Sequence, residues 1–519
     1  MRLNPFSTEI SWRDRAIDAL VGAVAVLGFA PFHIWPATVL ALAVFCARLR
    51  TATSGREGAS QGFWTGLGYF AAGLVWITQA FIERGPEYIP LIVPLVFGLF
   101  VLLSLFWALA GWTFAKARRG WTDALLFASL LFMAEFARGH LFGGFPWNLP
   151  GYAFEAGTAL SQFASIGGVY GLSFLLLLVS GALGTAWGET GRARMGWIGA
   201  AALVLGGLFV FGSLRLSGAE VESREDVVVR LVHVPFRQSE MMDRANSVAI
   251  TNRYFEETLR TPLDGVTHIV WPEGAVRGIA MDNLAFVSVF PSLIEGDVPT
   301  FLFSSIREER SPAFRDGRQW YNSAVAVEYT DGVPGVAAFV DKKRLVPFGE
   351  IVPFGPVLEK IGLEAIAASF TPAPDKPVTD YPGLPGLSVQ ICYEVIFSGL
   401  TEGQPSLILN QSNDAWFGDW HGPAQHAAIA RMRAVEEGVP ILRMAANGES
   451  GLVDPYGRWV KKLPPSAVGH ADLTLVQPIA PTTFNLFING LLLVTSLLVV
   501  CGTWRLARPV GQPDAPQKG

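Results

Sequence analysis

Long apolar stretches fill about the first two-fifths of the chain. A polar stretch built of short alternating runs follows, from near Arg215 to Pro481, and one more apolar stretch closes it. A helix needs about 20 apolar residues to cross the hydrocarbon core of a bilayer. By that rule the apolar stretches are 17–32, 35–48, 62–81, 89–114, 123–136, 159–187, 197–214 and 484–504. The second and fifth are short, so about eight spans are expected. In the polar stretch, strand-like runs occupy 227–234, 267–271, 300–304, 387–392, 407–409 and 439–444. Segments 322–329 and 335–340 read as a hairpin around Thr330-Asp331-Gly332. Helical spacing covers 246–260 and 422–438, the latter opening on Gly-Pro and closing on Gly. Strands alternating with helices predict an α/β sandwich. The expected organisation is seven spans over 1–214, a globular domain over 215–483, an eighth span over 484–505 and a tail over 506–519, rich in Pro, Gly and Gln and expected to be disordered.

Charge adds a direction. Charged residues make up 16% of the 519, against about 25% in soluble proteins. Arg2, Arg13 and Arg15 precede the first span; Arg48, Arg50 and Arg56, then Lys116, Arg118 and Arg119, then Arg192 and Arg194 occupy alternate loops; Arg505, Arg508 and Lys518 follow the last span. The opposite short loops carry only Arg84 and Arg138. By the positive-inside rule both termini are cytoplasmic and the globular domain lies across the membrane, in the periplasm of a Gram-negative cell. The first stretch has the make-up of a signal peptide, but further spans follow directly, so an uncleaved helix is expected. A net charge of −5, with no basic patch interleaved with aromatics, argues against nucleic acid.

Of the three cysteines, Cys46 and Cys501 fall in spans and Cys392 stands alone in the polar stretch. An unpaired thiol in an oxidising compartment is a liability unless used; a buried structural thiol stays equally open. Three polar groups fall at strand ends: Glu273 after Ile269-Val270-Trp271-Pro272, Lys342 after Phe339-Val340-Asp341, and Cys392 after Val389-Gln390-Ile391. A thiolate attacks acyl carbon, a carboxylate takes its proton, and an ammonium stabilises the oxyanion. Taken singly, Glu273 reads equally as a carboxylate near a helix start and Lys342 as part of a solvated run, Asp341-Lys342-Lys343-Arg344. His421 and His426 are five apart and HExxH is absent, so neither metal nor other cofactor is expected.

These residues carry a resemblance. Trp271-Pro272-Glu273, Asp341 to Glu350 (with Leu345-Val346-Pro347-Phe348-Gly349-Glu350) and Cys392-Tyr393-Glu394 resemble the Glu–Lys–Cys triad of the nitrilase superfamily. Ser412 to Asp419, Arg431-Met432-Arg433-Ala434 and the membrane frame narrow the resemblance to the apolipoprotein N-acyltransferases. It implies a nitrilase-like αββα sandwich joined to a polytopic membrane domain. It also implies acyl transfer, through a thioester, from a phospholipid to the N-terminal amine of a diacylglyceryl-cysteine lipoprotein. The donor is typically phosphatidylethanolamine, and the enzyme is expected as a monomer in the inner membrane. Carried over, Cys392 is the nucleophile, Glu273 the base and acid, and Lys342 the oxyanion partner. Glu350, Tyr393 and Glu394 support them, the N–H of Tyr393 joining the oxyanion hole. Asn413, Trp416, Phe354 and Leu358 are expected on the substrate side. The loop Val232 to Gln238, Arg344 and Ala446 depart from the family's pattern.

Both substrates keep their acyl chains in lipid at about 0.8 kcal/mol per buried CH₂. The thiol therefore belongs close to the interface. The apolar segment 351–370 is a candidate membrane arm, with a core helix equally open, and the loop 142–147 is a candidate portal. A tethered amidase of small amides keeps the triad but has no use for so many spans. A transporter would carry ionisable groups within its spans, and these are nearly charge-free apart from Glu135 and Arg138 near one end.

Overall fold

A computed structural model describes residues 11–117, 120–278, 284–294, 296–311, 317–351, 370–484 and 486–506. Phe354, Leu358 and nearly all of the expected arm lie outside the described residues.

Among the described residues, five helical segments are long and apolar enough to cross a membrane: Gly55–Arg84, Pro86–Lys116, Asp123–Gly143, Ala164–Trp187 and Gly191–Leu216. Trp12–Ala25 and Trp35–Thr51 hold 14 and 17 residues and are shorter than a full span. Leu486–Leu506 carries the apolar stretch Phe487–Thr503. The expected span 89–114 starts irregularly, as a 3₁₀ turn over Pro86–Leu91 and a π turn over Ile92–Phe97 before the α-helix Gly98–Lys116. Pro90 and Pro94 lack the N–H an α ladder needs, which accounts for the irregular start. Glycines set the helix spacing. A Cβ on Gly62 would collide with the Trp107 carbonyl, and one on Gly58 with that of Gly111. Without a hydrophobic force between helices in lipid, such close approach is what holds them together.

The two ends of the bundle differ. At one end Arg50 pairs with Asp123 at 2.8 Å and Glu189 at 2.9 Å, tying three helix ends together. At the other, the loops near His33, Arg84, Gly144 and Glu155 meet the sandwich: Glu155 pairs with Arg431 at 2.9 Å, and Arg84 donates to the carbonyls of Phe348 and Gly349 at 3.4 and 3.3 Å.

The sandwich has twelve strands: β1 (Ser223–His233), β2 (His268–Val270), β3 (Thr300–Arg310), β4 (Arg318–Thr330), β5 (Val333–Asp341), β6 (Thr379–Tyr381), β7 (Leu384–Ile391), β8 (Leu407–Asn413), β9 (Ile441–Ala446), β10 (Ser450–Val453), β11 (Trp459–Leu463) and β12 (Gly469–Val476). They form two six-stranded sheets, ordered β12-β1-β2-β3-β4-β5 and β11-β10-β9-β8-β7-β6. β1, β2 and β3 run parallel, as do β7, β8 and β9, and the remaining neighbours are antiparallel. The expected hairpin closes with Asp331 and Gly332 at φ 51° and 77°, the paired positive φ of a two-residue turn matched to strand twist.

Alternation along each strand decides what faces what. Val229, Leu231, Val270 and Leu302 of one sheet meet Val389, Ile391, Leu409 and Leu442 of the other. Their neighbours Ile269, Phe301 and Phe303 point the other way, onto Tyr254 of the helix Arg244–Thr258. Ile408 and Ile441 likewise face Ala434 of the helix Gly422–Glu437. The order is helix, sheet, sheet, helix. A one-residue slip in any of these strands would turn its whole apolar set outward. Gly422–Glu437 has a second apolar face, and its Ile429, Met432 and Val435 join the core of the membrane bundle with Leu172 and Leu176. The segment Tyr393, Val395, Ile396 and Phe397 joins the same core. The residues directly after Cys392 are therefore seated on the membrane domain.

Candidate active site

Glu273, Lys342 and Cys392 follow β2, β5 and β7, and the two sheets bring these strand ends together. Cys392 is 7% exposed and Lys342 1% exposed. The Lys342 ammonium donates to Glu350 Oε1 at 2.9 Å and lies 3.8 Å from Glu273 Oε1. Lys343 turns away to the surface, where it pairs with Glu402 at 2.9 Å. Both lie beyond the last residue of β5, in a loop whose Lys343 and Arg344 N–H groups are held by Glu394, and that loop sets the two side chains apart.

The carboxylates are held from several directions. Asn322 Nδ2 donates to Glu273 Oε1 at 2.7 Å and to Glu350 Oε1 at 2.8 Å. Glu350 Oε2 accepts from the N–H of Val346 at 2.8 Å. Glu273 Oε2 is buried with no hydrogen-bond partner among the described residues, and its carboxyl interacts with Cys392. Burial pushes Glu273 above the usual carboxylate range; Lys342 opposes this and Glu350 adds to it. Burial also raises the Cys392 thiol, assisted by the Glu273 charge, to about 12. Burial works against the charge on Lys342, but Glu350 and Glu273 outweigh it and hold the ammonium above its ordinary value. The resting site is thus a neutral thiol beside a carboxylate of raised basicity and a fixed cation. Such a thiol needs a base during attack, since the thiolate is the nucleophile.

The backbone at the thiol is constrained. Cys392 has φ 49°, where a non-glycine residue is uncommon. It opens the 3₁₀ turn Cys392–Ile396, whose first amides lack partners within the turn; the N–H of Tyr393 is one of these. The Tyr393 hydroxyl donates to the Gly144 carbonyl at 3.0 Å, joining this turn to the loop 142–147. Glu394, fully buried, binds the turn to the lysine loop. Its Oε1 accepts from the N–H of Lys343 at 2.7 Å and of Arg344 at 3.2 Å, and Oε2 from the N–H of Ile391 at 2.8 Å. Lys376, 1% exposed, pairs with it at 2.8 Å. Burial pushes Lys376 below its ordinary value and Glu394 opposes that. Glu394→Gln strips this lysine of its counter-charge, and unpairing a buried ion costs about 3–5 kcal/mol. A large fall in melting temperature is expected for this variant; an unchanged Tm would refute the anchoring role.

Asn413 closes β8. It accepts from the N–H of Ala415 at 3.2 Å and donates to Gln238 at 2.8 Å, so both polar ends are engaged within the protein beside Gly274. Trp416 is half-buried, with the Arg84 guanidinium 5.9 Å from its ring centroid. Sequence reasoning missed Asn322, Lys376 and a buried cluster behind Cys392. In that cluster Asp414 accepts from Arg443 at 2.6 Å, from Ser412 at 2.7 Å and contacts His426 at 2.8 Å. Burial works against the Asp414 charge, but Arg443 and His426 hold it below the usual carboxylate range. Asn322 and Lys376 sit among ordinary strand and loop residues and carried no signal. Asp414 lay within a motif already noted.

Known proteins match most of the chain. The family described as Carbon-nitrogen hydrolase matches residues 237–478, and that described as Apolipoprotein N-acyltransferase N-terminal domain matches residues 21–182. Relatives named apolipoprotein N-acyltransferase match along most of their length. The one from Rhodopseudomonas palustris is 32% identical over 497 residues, 91% of each chain. That from Brucella melitensis is 34% identical over 495 residues, again 91% of each. That from Caulobacter vibrioides is 34% identical over 473 residues, 87% of this chain and 86% of its own.

The chain belongs to the apolipoprotein N-acyltransferase family.

It is an acyltransferase whose catalytic part is a carbon–nitrogen hydrolase domain. Within the family frame, the membrane match ends before the last apolar helices, and the hydrolase match covers the strand ends that carry Glu273, Lys342 and Cys392.

Proposed function

We propose that this enzyme N-acylates lipoproteins by a two-step transfer through a thioester on Cys392. The observation that carries the reading is the placement of the thiol: the Glu–Lys–Cys convergence lies at the end of β7, and the next residues, Tyr393 to Phe397, pack into the membrane bundle. A site for small soluble amides has no need of that seat, which is why the amidase reading is the weaker one. In the first step Glu273 takes the thiol proton as Sγ attacks the ester carbonyl of a phospholipid, with phosphatidylethanolamine the expected donor. The oxyanion is met by Lys342 and the N–H of Tyr393. Collapse breaks the ester C–O bond, the proton passes from Glu273 to the departing lysophospholipid alkoxide, and a thioester remains. In the second step the free amine of a diacylglyceryl-cysteine lipoprotein attacks the thioester. Glu273 takes an amine proton and returns it to the departing Cys392 thiolate. Glu350 and Asn322 hold Lys342 and Glu273 in register. Asn413 positions Gly274 beside Glu273, and Trp416 faces the donor beside Arg84. Phe354 and Leu358 are proposed on the substrate side.

The test is sequential addition to the full-length protein. Phosphatidylethanolamine vesicles alone should leave an acyl adduct and release lysophospholipid, and a diacylglyceryl peptide added afterwards should remove the adduct and gain its mass. Peptide acylation with no intermediate adduct would reject the two-step scheme.

The proposed frame is eight spans, with the catalytic domain over 215–483 facing the periplasm from the inner membrane and the chain acting as a monomer. Its support is the alternation of basic loops and the segregation of Arg50, Asp123 and Glu189 to the bundle end remote from the sandwich. Reporter fusions should read periplasmic at Asp331 and cytoplasmic at Arg118 and Lys518. A periplasmic signal at Lys518 would rule out an even number of spans.

A further inference from the structure

We propose that His426 is a positioning residue for the oxyanion hole: its Nε2–H donates to the carbonyl of Cys392 and thereby polarises the peptide unit whose N–H, on Tyr393, meets the oxyanion. The inference rests on the thiol acylation proposed above, and it assigns a role to a side chain that the sequence offered only as a discarded metal ligand.

His426 Nε2 lies 3.2 Å from the Cys392 carbonyl oxygen. The carbonyl and the Asp414 carboxylate can both only accept, so the ring that donates to both is an imidazolium; burial works against its charge and Asp414 favours it. The ring is fixed on its other side by Asp414 Oδ1 at 2.8 Å. Asp414 is in turn fixed by Arg443 at 2.6 Å and Ser412 at 2.7 Å. The imidazole also packs against Trp147, tilted at 5.3 Å, and edge-on with Phe417 at 5.6 Å between ring centroids. Trp147 belongs to the membrane domain's loop and donates its indole N–H to Gln425, the neighbour of His426, at 2.8 Å. His426, Asp414 and Arg443 are all 0% exposed.

A buried array of this kind is costly unless every group is paired, and here the pairing converges on one carbonyl. That carbonyl belongs to a residue held at φ 49°. The same peptide unit presents the carbonyl to His426 and the N–H to the reacting centre. Hydrogen bonds in a chain polarise one another, so a donor at the carbonyl oxygen makes the N–H a stronger donor at the other end. The direction of the peptide and its strength as a donor are both set from behind the thiol, from a helix seated on the membrane domain.

The experiment separates steps that form an oxyanion from steps that do not. Full-length His426→Leu and His426→Gln are compared with wild type in two reactions of Cys392, followed by intact mass. One is acylation by a short-chain p-nitrophenyl ester, which passes through a tetrahedral oxyanion. The other is alkylation by iodoacetamide, a displacement that forms none. Losing one oxyanion donor costs roughly 10²–10³-fold, and weakening one should cost about 10- to 100-fold. The Leu variant should therefore lose that much in acylation while alkylation stays within about twofold, and Gln, which restores an amide donor, should recover most of the acylation rate. Equal loss in both reactions would overturn the proposal in favour of a general structural role, as would wild-type acylation by the Leu variant or no recovery with Gln. Should the Leu variant fail to fold, Gln decides alone: a Gln variant that alkylates normally and acylates as poorly as a donor-free site overturns the proposal, and one with near-normal acylation supports it. A wild-type protein that is alkylated but takes no acyl group from the aryl ester would also overturn it. Acylation from the aryl ester but not from phosphatidylethanolamine vesicles would reject the donor assignment alone.

Discussion

Cys392→Ala gives a protein that folds, takes up no acyl mass from phospholipid and transfers none to a lipoprotein peptide. The expectation follows from the geometry of one atom. Cys392 is the only cysteine of the sandwich, and Glu273 and Lys342 both act on its thiol. Its thiol is pushed up to about 12, so it is protonated at rest and reactive only when Glu273 draws the proton off. Alanine deletes the nucleophile while keeping the backbone atoms that His426 and Glu394 hold. Since the volume lost is one sulfur in a site 7% exposed, the melting temperature should move little. Cys392→Ser should trap a slowly formed oxyester, because a hydroxyl is a weaker nucleophile than a thiolate. Intact mass after incubation with vesicles reads all three proteins. Full acyl uptake by the alanine variant would remove Cys392 from the reaction altogether.

The second large effect is expected at Glu273 and Lys342, and here activity and stability part company. Acid–base groups contribute about 10²–10⁴-fold. Glu273→Gln should lose turnover on that scale and keep its fold, since Asn322 and Lys342 then face a neutral amide of the same shape. In the wild type, thioester formation should fall as pH drops through the raised Glu273 value, because a protonated carboxyl cannot accept the thiol proton; the Gln variant should lose that limb of the profile. Lys342→Met should lose turnover similarly, but it should also lose stability. Its ammonium is 1% exposed and lies between Glu350 at 2.9 Å and Glu273 at 3.8 Å. Removing it leaves two little-exposed carboxylates sharing Asn322, and breaking a buried lysine's pairing this way costs about 3–5 kcal/mol. Adding Glu350→Gln should recover much of the melting temperature and none of the activity. Lys343→Ala should be active and nearly as stable as wild type, because an exposed pair such as Lys343–Glu402 is worth about 0–1 kcal/mol. An active Lys342→Met together with an inactive Lys343→Ala would exchange the roles of the two lysines.

Much of this was legible in the chain because the physics was local. Long apolar runs announce helices that lipid can surround, and Asp331-Gly332 announces a turn that only positive φ can make. Short apolar runs at 267–271, 335–340 and 387–392 announce strands. The ends of those runs placed Glu273, Lys342 and Cys392, since a strand end is a property of the pattern. Pro90 and Pro94 already forbade a regular helix start, though the span reading ran across them.

The rest needed the tertiary structure, for a physical reason that can be stated residue by residue. Asn322 is an ordinary strand residue until the sheets bring two carboxylates within 2.8 Å of its amide. Lys376 and Glu394 are 18 positions apart and become a pair only when the loop before β6 crosses behind the turn after β7. Lys342 and Lys343 are indistinguishable by composition; the loop after β5 buries one and leaves the other partly exposed. His426 and Cys392 lie 34 positions apart, and the 3.2 Å between them exists because the helix Gly422–Glu437 is held between the second sheet and the membrane bundle. Sequence alone determined which segments form long apolar helices, which become strands and which residues stand at their ends, because each of those choices depends on side chains only a few positions apart. The tertiary structure decided which of those ends meet, which charges are desolvated and what stands behind the nucleophile, because long-range contacts arise only once both sheets and the bundle have closed on one another.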